Sequence, residues 1–225
     1  MNVFAIRHGE TAWSLSAQHT GATDIPLTDN GRRLAERMRP VLATKVFELV
    51  LSSPMQRARE TCQLAGLGDI AIIDSDLIEW NYGDYEGLTP RQINEAAPGW
   101  LIFRDGCPGG ETPEQVGARV DRVIARTRAV AGNTALFAHG HLLRVFAARW
   151  IGLPRERGPT LSAESGHPVC ARLLPRNTGC ADLERASSRR GRVIRTDQAG
   201  TLRTPKTRTV WLRFDQFCSA CLSCC

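Results

Sequence analysis

Val3-Phe4-Ala5-Ile6-Arg7-His8-Gly9-Glu10-Thr11 joins a β-type apolar run directly to an arginine and a histidine, and Ala135-Leu136-Phe137-Ala138-His139-Gly140-His141 repeats the pattern. Short apolar runs bounded by glycine and polar residues read as strands buried on both faces. Phe47–Leu51 and Ile70–Ile73 are two more, and each of the four leads into a longer stretch with helical spacing. This alternation predicts an α/β fold, a three-layer sandwich with a mostly parallel sheet and helices on both faces. Three helix starts share one grammar: Ser53-Pro54-Met55-Gln56, Thr89-Pro90-Arg91-Gln92 and Thr112-Pro113-Glu114-Gln115. Each sets a hydroxyl at N-cap, proline at N1 and glutamine at N3, where they meet donors that the first turn leaves open. Further helices are expected over Thr28–Leu42 and over Leu142–Ile151, the latter apolar nearly all round.

The chain of 225 residues is 42% hydrophobic and has no apolar run long enough to span a bilayer, so no membrane partner is expected. Its first ten residues hold too short an apolar stretch for a secretion signal, which points to a soluble, cytoplasmic protein. The net charge of +6 conceals a break. Residues 1–153 hold 16 of the 29 basic and 17 of the 23 acidic residues, which leaves 13 against 6 for residues 154–225. Six of the eight cysteines also fall in that tail. It is expected to be largely irregular, apart from Thr209–Phe217, where apolar and polar residues alternate. Cys218-x-x-Cys221-x-x-Cys224-Cys225 has no second cysteine or histidine pair at ligand spacing, so no metal site is read there. Basic charge without interleaved aromatics implies no specific nucleic-acid partner.

Polar residues at the carboxyl ends of parallel strands face the crevice where ligands bind. Here those ends carry Arg7 and His8, then Ser52-Ser53-Pro54 leading to Arg57, then His139-Gly140-His141. Two forked guanidinium groups match phosphate oxygens, and Gly140 lets backbone N–H groups approach an anion. The site reads as a phosphate pocket. His139 and His141 stand two apart with no carboxylate at ligand spacing, so no metal is assigned, and His141 is expected to donate to a backbone group.

The strings RHGETAW at 7–13, HTGATDIPLT at 19–28, SSPMQRARETC at 52–62, EWNYGDYEG at 79–87 and AHGHLLRV at 138–145 resemble, in family order, the histidine phosphatase superfamily. This is the phosphoglycerate mutase-like group, in its RHGET branch. The resemblance implies that His8 is a nucleophile that becomes phosphorylated, that Arg7, Arg57 and His139 bind the phosphoryl group, and that Glu79 is the proton donor. Where many members carry asparagine after the tryptophan, this chain has Ser14, which keeps one donor. By the same resemblance Ser14, Gln18, His19, Thr20, Gly21 and Gly140 are phosphate or substrate contacts. The implied activity is a metal-independent phosphomonoesterase, without cofactor, acting on a small phosphorylated metabolite such as a sugar or carboxylic acid phosphate. One alternative is phosphoglycerate mutase-type transfer with 2,3-bisphosphoglycerate. Another is a phospho-ligand binder without turnover. The short stretch between Glu79 and the helix after Glu111 leaves little chain for a lid, which favours hydrolysis. The resemblance stops near Pro154, so residues 1–153 are expected to lack the family's C-terminal edge strands, and a shifted reading frame around residues 154–160 would produce such a break. The oligomeric state is not legible in the sequence.

Overall fold

The computed structural model describes residues 1–152 and, as backbone, two further strands, Cys170–Leu173 and Arg213–Asp215. The strands are β1 (Val3–Arg7), β2 (Phe47–Ser52), β3 (Ile72–Ile73), β4 (Asn133–Ala138), β5 (Cys170–Leu173) and β6 (Arg213–Asp215). The helices are α1 (Ala12–Leu15), α2 (Asp29–Glu36), α3 (Arg39–Leu42), α4 (Gln56–Leu64), α5 (Pro90–Ala96), α6 (Ile102–Asp105), α7 (Pro113–Arg128) and α8 (Gly140–Trp150).

The sheet runs β3-β2-β4-β1-β5-β6. β1, β2, β3 and β4 are parallel, as expected, whereas β5 and β6 pair antiparallel. β1 is therefore hydrogen-bonded on both sides, and the sheet that the sequence left without an edge beyond 153 continues through two short strands. The rest of the tail, including the remainder of Thr209–Phe217 and the cysteines from Cys218 to Cys225, lies outside the described residues.

Alternate side chains of the central strands feed two cores. Val3, Leu51, Leu136 and Ala138 pack on one face with Val116, Val120, Val123, Leu142 and Phe146 of α7 and α8. Phe4, Ile6, Val50, Ala135 and Phe137 pack on the other with Ala35, Met38 and Cys62. A sheet so covered on both sides explains why its strands read as unbroken apolar runs.

Thr89 and Thr112 form the expected capping boxes at the starts of α5 and α7. Ser53 does not. α4 begins only at Gln56, behind Met55, which supplies no capping side chain. The stretch Thr28–Leu42 is two helices, because Pro40 has no N–H to offer and its ring crowds the carbonyl of Glu36, where α2 ends. The expected strand Ile70–Ile73 is reduced to Ile72–Ile73, preceded by a 3-10 turn over Gly68–Ile70.

Candidate active site

The register of the sheet brings the site together. Arg7 lies opposite Ala138, the His8 N–H donates to the Ala138 carbonyl at 2.9 Å, and the Ser53 N–H donates to Phe137 at 2.9 Å. His8, Ser53 and His139 are thus neighbours just beyond the carboxyl ends of β1, β2 and β4. The two imidazole centroids are 5.2 Å apart.

Their hydrogen bonds fix opposite tautomers. His8 Nδ1 is 2.7 Å from the Gly9 carbonyl, which can only accept, so Nδ1 carries the hydrogen and Nε2 of the neutral ring keeps its lone pair. At His139, Arg57 Nε donates to Nδ1 at 3.2 Å, so the hydrogen sits on Nε2, 2.8 Å from Ser53 Oγ. Burial, then Arg7 and Arg57, hold His8 well below the usual histidine range. Burial, then Arg57 and His8, do the same for His139.

Arg57 is fully buried. Its terminal nitrogens donate to the carbonyls of Thr23 at 2.9 Å, Gly21 at 2.9 Å and Thr20 at 3.2 Å, and its nearest carboxylate, Asp24, is 3.7 Å away. Carbonyls satisfy the donors without cancelling the charge. The same loop gives its N–H groups to Glu86, from Gly21 at 2.9 Å and Thr23 at 3.0 Å, so it lies between a carboxylate and a guanidinium. Gly21 is required there, since a Cβ would stand 2.5 Å from the Trp80 carbonyl oxygen. Arg7 Nε is buried without a partner among the described residues. Thr61 links two parts of the site, accepting from Gly9 N–H at 2.9 Å and donating to the Arg57 carbonyl at 2.6 Å.

Glu79 is buried on a stretch between two 3-10 turns, Ser75–Leu77 and Gly83–Tyr85. Its Oε1 accepts from Trp80 N–H at 3.0 Å and Leu142 N–H at 2.9 Å, and its Oε2 accepts from His141 N–H at 3.0 Å. The carboxyl group thus sits on the N-terminus of α8, one turn from His139, where the helix dipole suits an acceptor. Oε1 has both acceptor positions filled, while Oε2 retains one. Glu79 acts electrostatically on both Arg7 and Arg57.

The remaining expected contacts have other partners. Ser14 accepts from Thr11 N–H at 2.9 Å and donates to the Thr11 carbonyl at 2.8 Å, so its one donor is engaged in capping α1. Gln18 donates to the Gly87 carbonyl at 2.8 Å, and Thr20 Oγ1 donates to Gln18. Thr20 and Gly21 hold Arg57 through their carbonyls. Gly140 opens α8 against Arg7. His19 Nδ1 faces the Leu88 carbonyl at 2.9 Å, and its ring stacks on His141 and meets Tyr82 and Trp100 edge-on. His141 Nδ1 pairs with the Tyr82 hydroxyl at 2.6 Å rather than with a backbone group.

Sequence reasoning missed Ser53, Thr61, Glu86 and Tyr82. Ser53 and Thr61 stand four residues either side of Arg57, within the SSPMQRARETC string, which was the signal available. Burial pushes the Cys62 and Cys107 thiols up to about 12. Among the described residues no group of three or more His, Cys, Asp or Glu is placed to hold a metal ion, and no helix is long and apolar enough to cross a membrane.

Paired imidazoles stand with Arg7 and Arg57 at the carboxyl edge of a parallel sheet, and residues 3–185 match the model of the histidine phosphatase superfamily, branch 1. The chain belongs to that superfamily. It is similar to an acid phosphatase of Mycobacterium tuberculosis, 42% identical over 157 residues that span 68% of this chain and 77% of that protein. It is also similar to sedoheptulose 1,7-bisphosphatase of Saccharomyces cerevisiae, 41% identical over 66% of each chain. A solved mycobacterial glucosyl-3-phosphoglycerate phosphatase superposes with a TM-score of 0.68 at 30% identity, covering 76% of this chain and 89% of that one. With these relationships the chain is a phosphatase.

Proposed function

We propose that the protein hydrolyses a sugar or carboxylic acid phosphate through a phosphohistidine on His8. The observation that carries this reading is the His8 ring: Nδ1 anchored to the Gly9 carbonyl and the ring held neutral, so that Nε2 has a lone pair to give. In the first step Nε2 attacks phosphorus, the ester P–O bond breaks, and the leaving oxygen takes a proton from Glu79. In the second, water attacks the phosphohistidine and gives its proton back to Glu79, orthophosphate leaves, and His8 is restored. Glu79 Oε2, with its free acceptor position, is the oxygen that carries that proton. Arg7 and Arg57 meet the charge of the phosphoryl group, and the Nε2 hydrogen of His139, bonded at rest to Ser53 Oγ, turns to a phosphoryl oxygen when the ester binds. Positioned donors of this kind supply about 3 kcal/mol each in a water-poor site. The charge on phosphate is met by arginines, so the scheme uses neither metal nor cofactor. Relatives named for sugar and glycerate phosphates support the substrate class.

The test is a rapid quench of the protein with labelled 3-phosphoglycerate and, separately, with a sugar phosphate, followed by peptide mapping. Acid-labile, base-stable phosphate on His8 with release of orthophosphate is the expected outcome. Formation of 2-phosphoglycerate dependent on 2,3-bisphosphoglycerate would replace hydrolysis with the mutase reading. Turnover without label on His8 would remove the intermediate, and neither label nor turnover would leave a phospho-ligand binder.

A further inference from the structure

Arg119 lies mid-way along α7 and is buried, although the proposed chemistry gives it no step. All five of its N–H groups are used. Nε and Nη2 donate to the two carboxylate oxygens of Glu111 at 2.8 and 2.9 Å. Nη1 donates to the carbonyls of Asp76 at 3.0 Å and of Ile78, and Nη2 donates to the carbonyl of Glu79 itself at 3.1 Å. Glu111 completes the web. Its carboxylate accepts from Asn81 N–H at 2.9 Å, its carbonyl accepts from Trp80 Nε1 at 2.9 Å, and its N–H donates to the Asn81 carbonyl at 2.9 Å.

The stretch from Asp76 to Asn81 forms no strand or α-helix, yet every carbonyl that Arg119 reaches lies in it. A buried guanidinium needs each donor met, and a backbone stretch without a ladder needs its carbonyls met. One side chain does both.

We infer that Arg119, locked by Glu111, is the positioning residue of the proton donor: it fixes the backbone of residues 76–81 so that the Glu79 carboxyl group meets the leaving-group oxygen. The inference rests on Glu79 being that donor. Lysine at 119 keeps the charge but has three donors on one nitrogen and cannot span a carboxylate and three carbonyls.

The test compares two substrates on one enzyme preparation. p-Nitrophenyl phosphate releases a stable phenolate and needs little protonation, whereas an alkyl or sugar phosphate releases an alkoxide and needs all of it. kcat/KM is the quantity to compare, because it stops at formation of the phosphohistidine. Arg119→Lys is expected to lower kcat/KM for the alkyl ester about 30-fold and for the aryl ester by less than about threefold, within the span of a misplaced general acid. Glu79→Gln, run alongside, is expected to show the same selectivity more strongly. Equal losses on both esters in Arg119→Lys, with selective loss in Glu79→Gln, would make Arg119 merely structural and overturn the inference. An unselective Glu79→Gln would instead remove Glu79 as donor, and the role of Arg119 with it. The ratio is internal to each preparation and so is independent of the folded fraction. If Arg119→Lys yields no soluble protein, Glu111→Gln, which keeps the carbonyl bonds and loses the lock, must show the same selectivity in smaller degree or the inference fails.

Discussion

The proposed phosphate end and the proposed proton-donor end of this site are held by different means. His8, Ser53 and His139 follow directly on strands, and the ladder of β1, β2 and β4 sets their spacing before any side chain acts. Glu79 sits where no ladder reaches, fixed by three N–H groups on its carboxyl group and a buried arginine on its backbone. Precision can come from a sheet or from a saturated polar web, and the second is the more fragile because each bond in it belongs to a particular side chain.

The contrast is tested most severely by deleting one group at each end. His8→Ala is expected to lose about 10⁴-fold or more in turnover on every ester, since no other group can carry the phosphoryl. In kcat/KM, which stops at formation of the phosphohistidine, Glu79→Gln should lose about 10² to 10³-fold, and only on esters with poor leaving groups. Steady-state rates on a graded set of aryl and alkyl phosphates check both. Comparable, unselective losses would mean that the two ends act as one unit.

Acid should strike the phosphate end through stability. His8 and His139 are held below their unfolded value, so the folded chain binds fewer protons than the unfolded one as pH falls through about 6.5. Stability present above that pH is lost progressively below it. Denaturant melts at pH 7.5 and 5.5 should show the fall, and His8→Asn should reduce it; an unchanged midpoint would mean that the rings are not held neutral. For the same reason, turnover should persist below pH 6.5, where a free imidazole would already be protonated.

Gly21→Ala forces a Cβ against the Trp80 carbonyl in the loop that orients Arg57. A cost of about 2 kcal/mol is expected, with a rise in KM as Arg57 loses its carbonyls. Thermal unfolding and substrate titration would check this, and an unchanged KM would separate the loop from phosphate binding. The smallest effect is at Ala17, which has φ 59° just before that loop. Ala17→Gly should relieve about 1 kcal/mol and leave both esters unaffected, as melting temperature and rates would show.

Much of the phosphate end was legible because sequence and geometry coincide there: an apolar run that stops at Arg7-His8 or at His139 says where a strand ends and what stands beyond it. The string Ser53-Pro54-Met55-Gln56 misled because a hydroxyl before proline is an N-cap signal, whereas here the hydroxyl faces His139 and the helix starts later. Ser14 serves as the N3 partner of the Thr11 N-cap at the start of α1, a pairing the sequence reading did not foresee. The web under Glu79 was hidden because Arg119 looks locally like Arg122 and Arg126, which form ion pairs with Asp76 at the surface. One clue was available: Arg119 stands three residues after Val116 and four before Val123, on the apolar stripe, where an unpaired charge would not be tolerated. Its partners are remote in sequence, and no local pattern names them.

Main-chain oxygens hold Arg57 in place, and among the described residues its nearest carboxylate, Asp24, stands 3.7 Å away, so its charge is open to an anion that enters the site. Orthophosphate, the product of phosphatase turnover, is therefore expected to compete with substrate, and initial rates with added phosphate would check it.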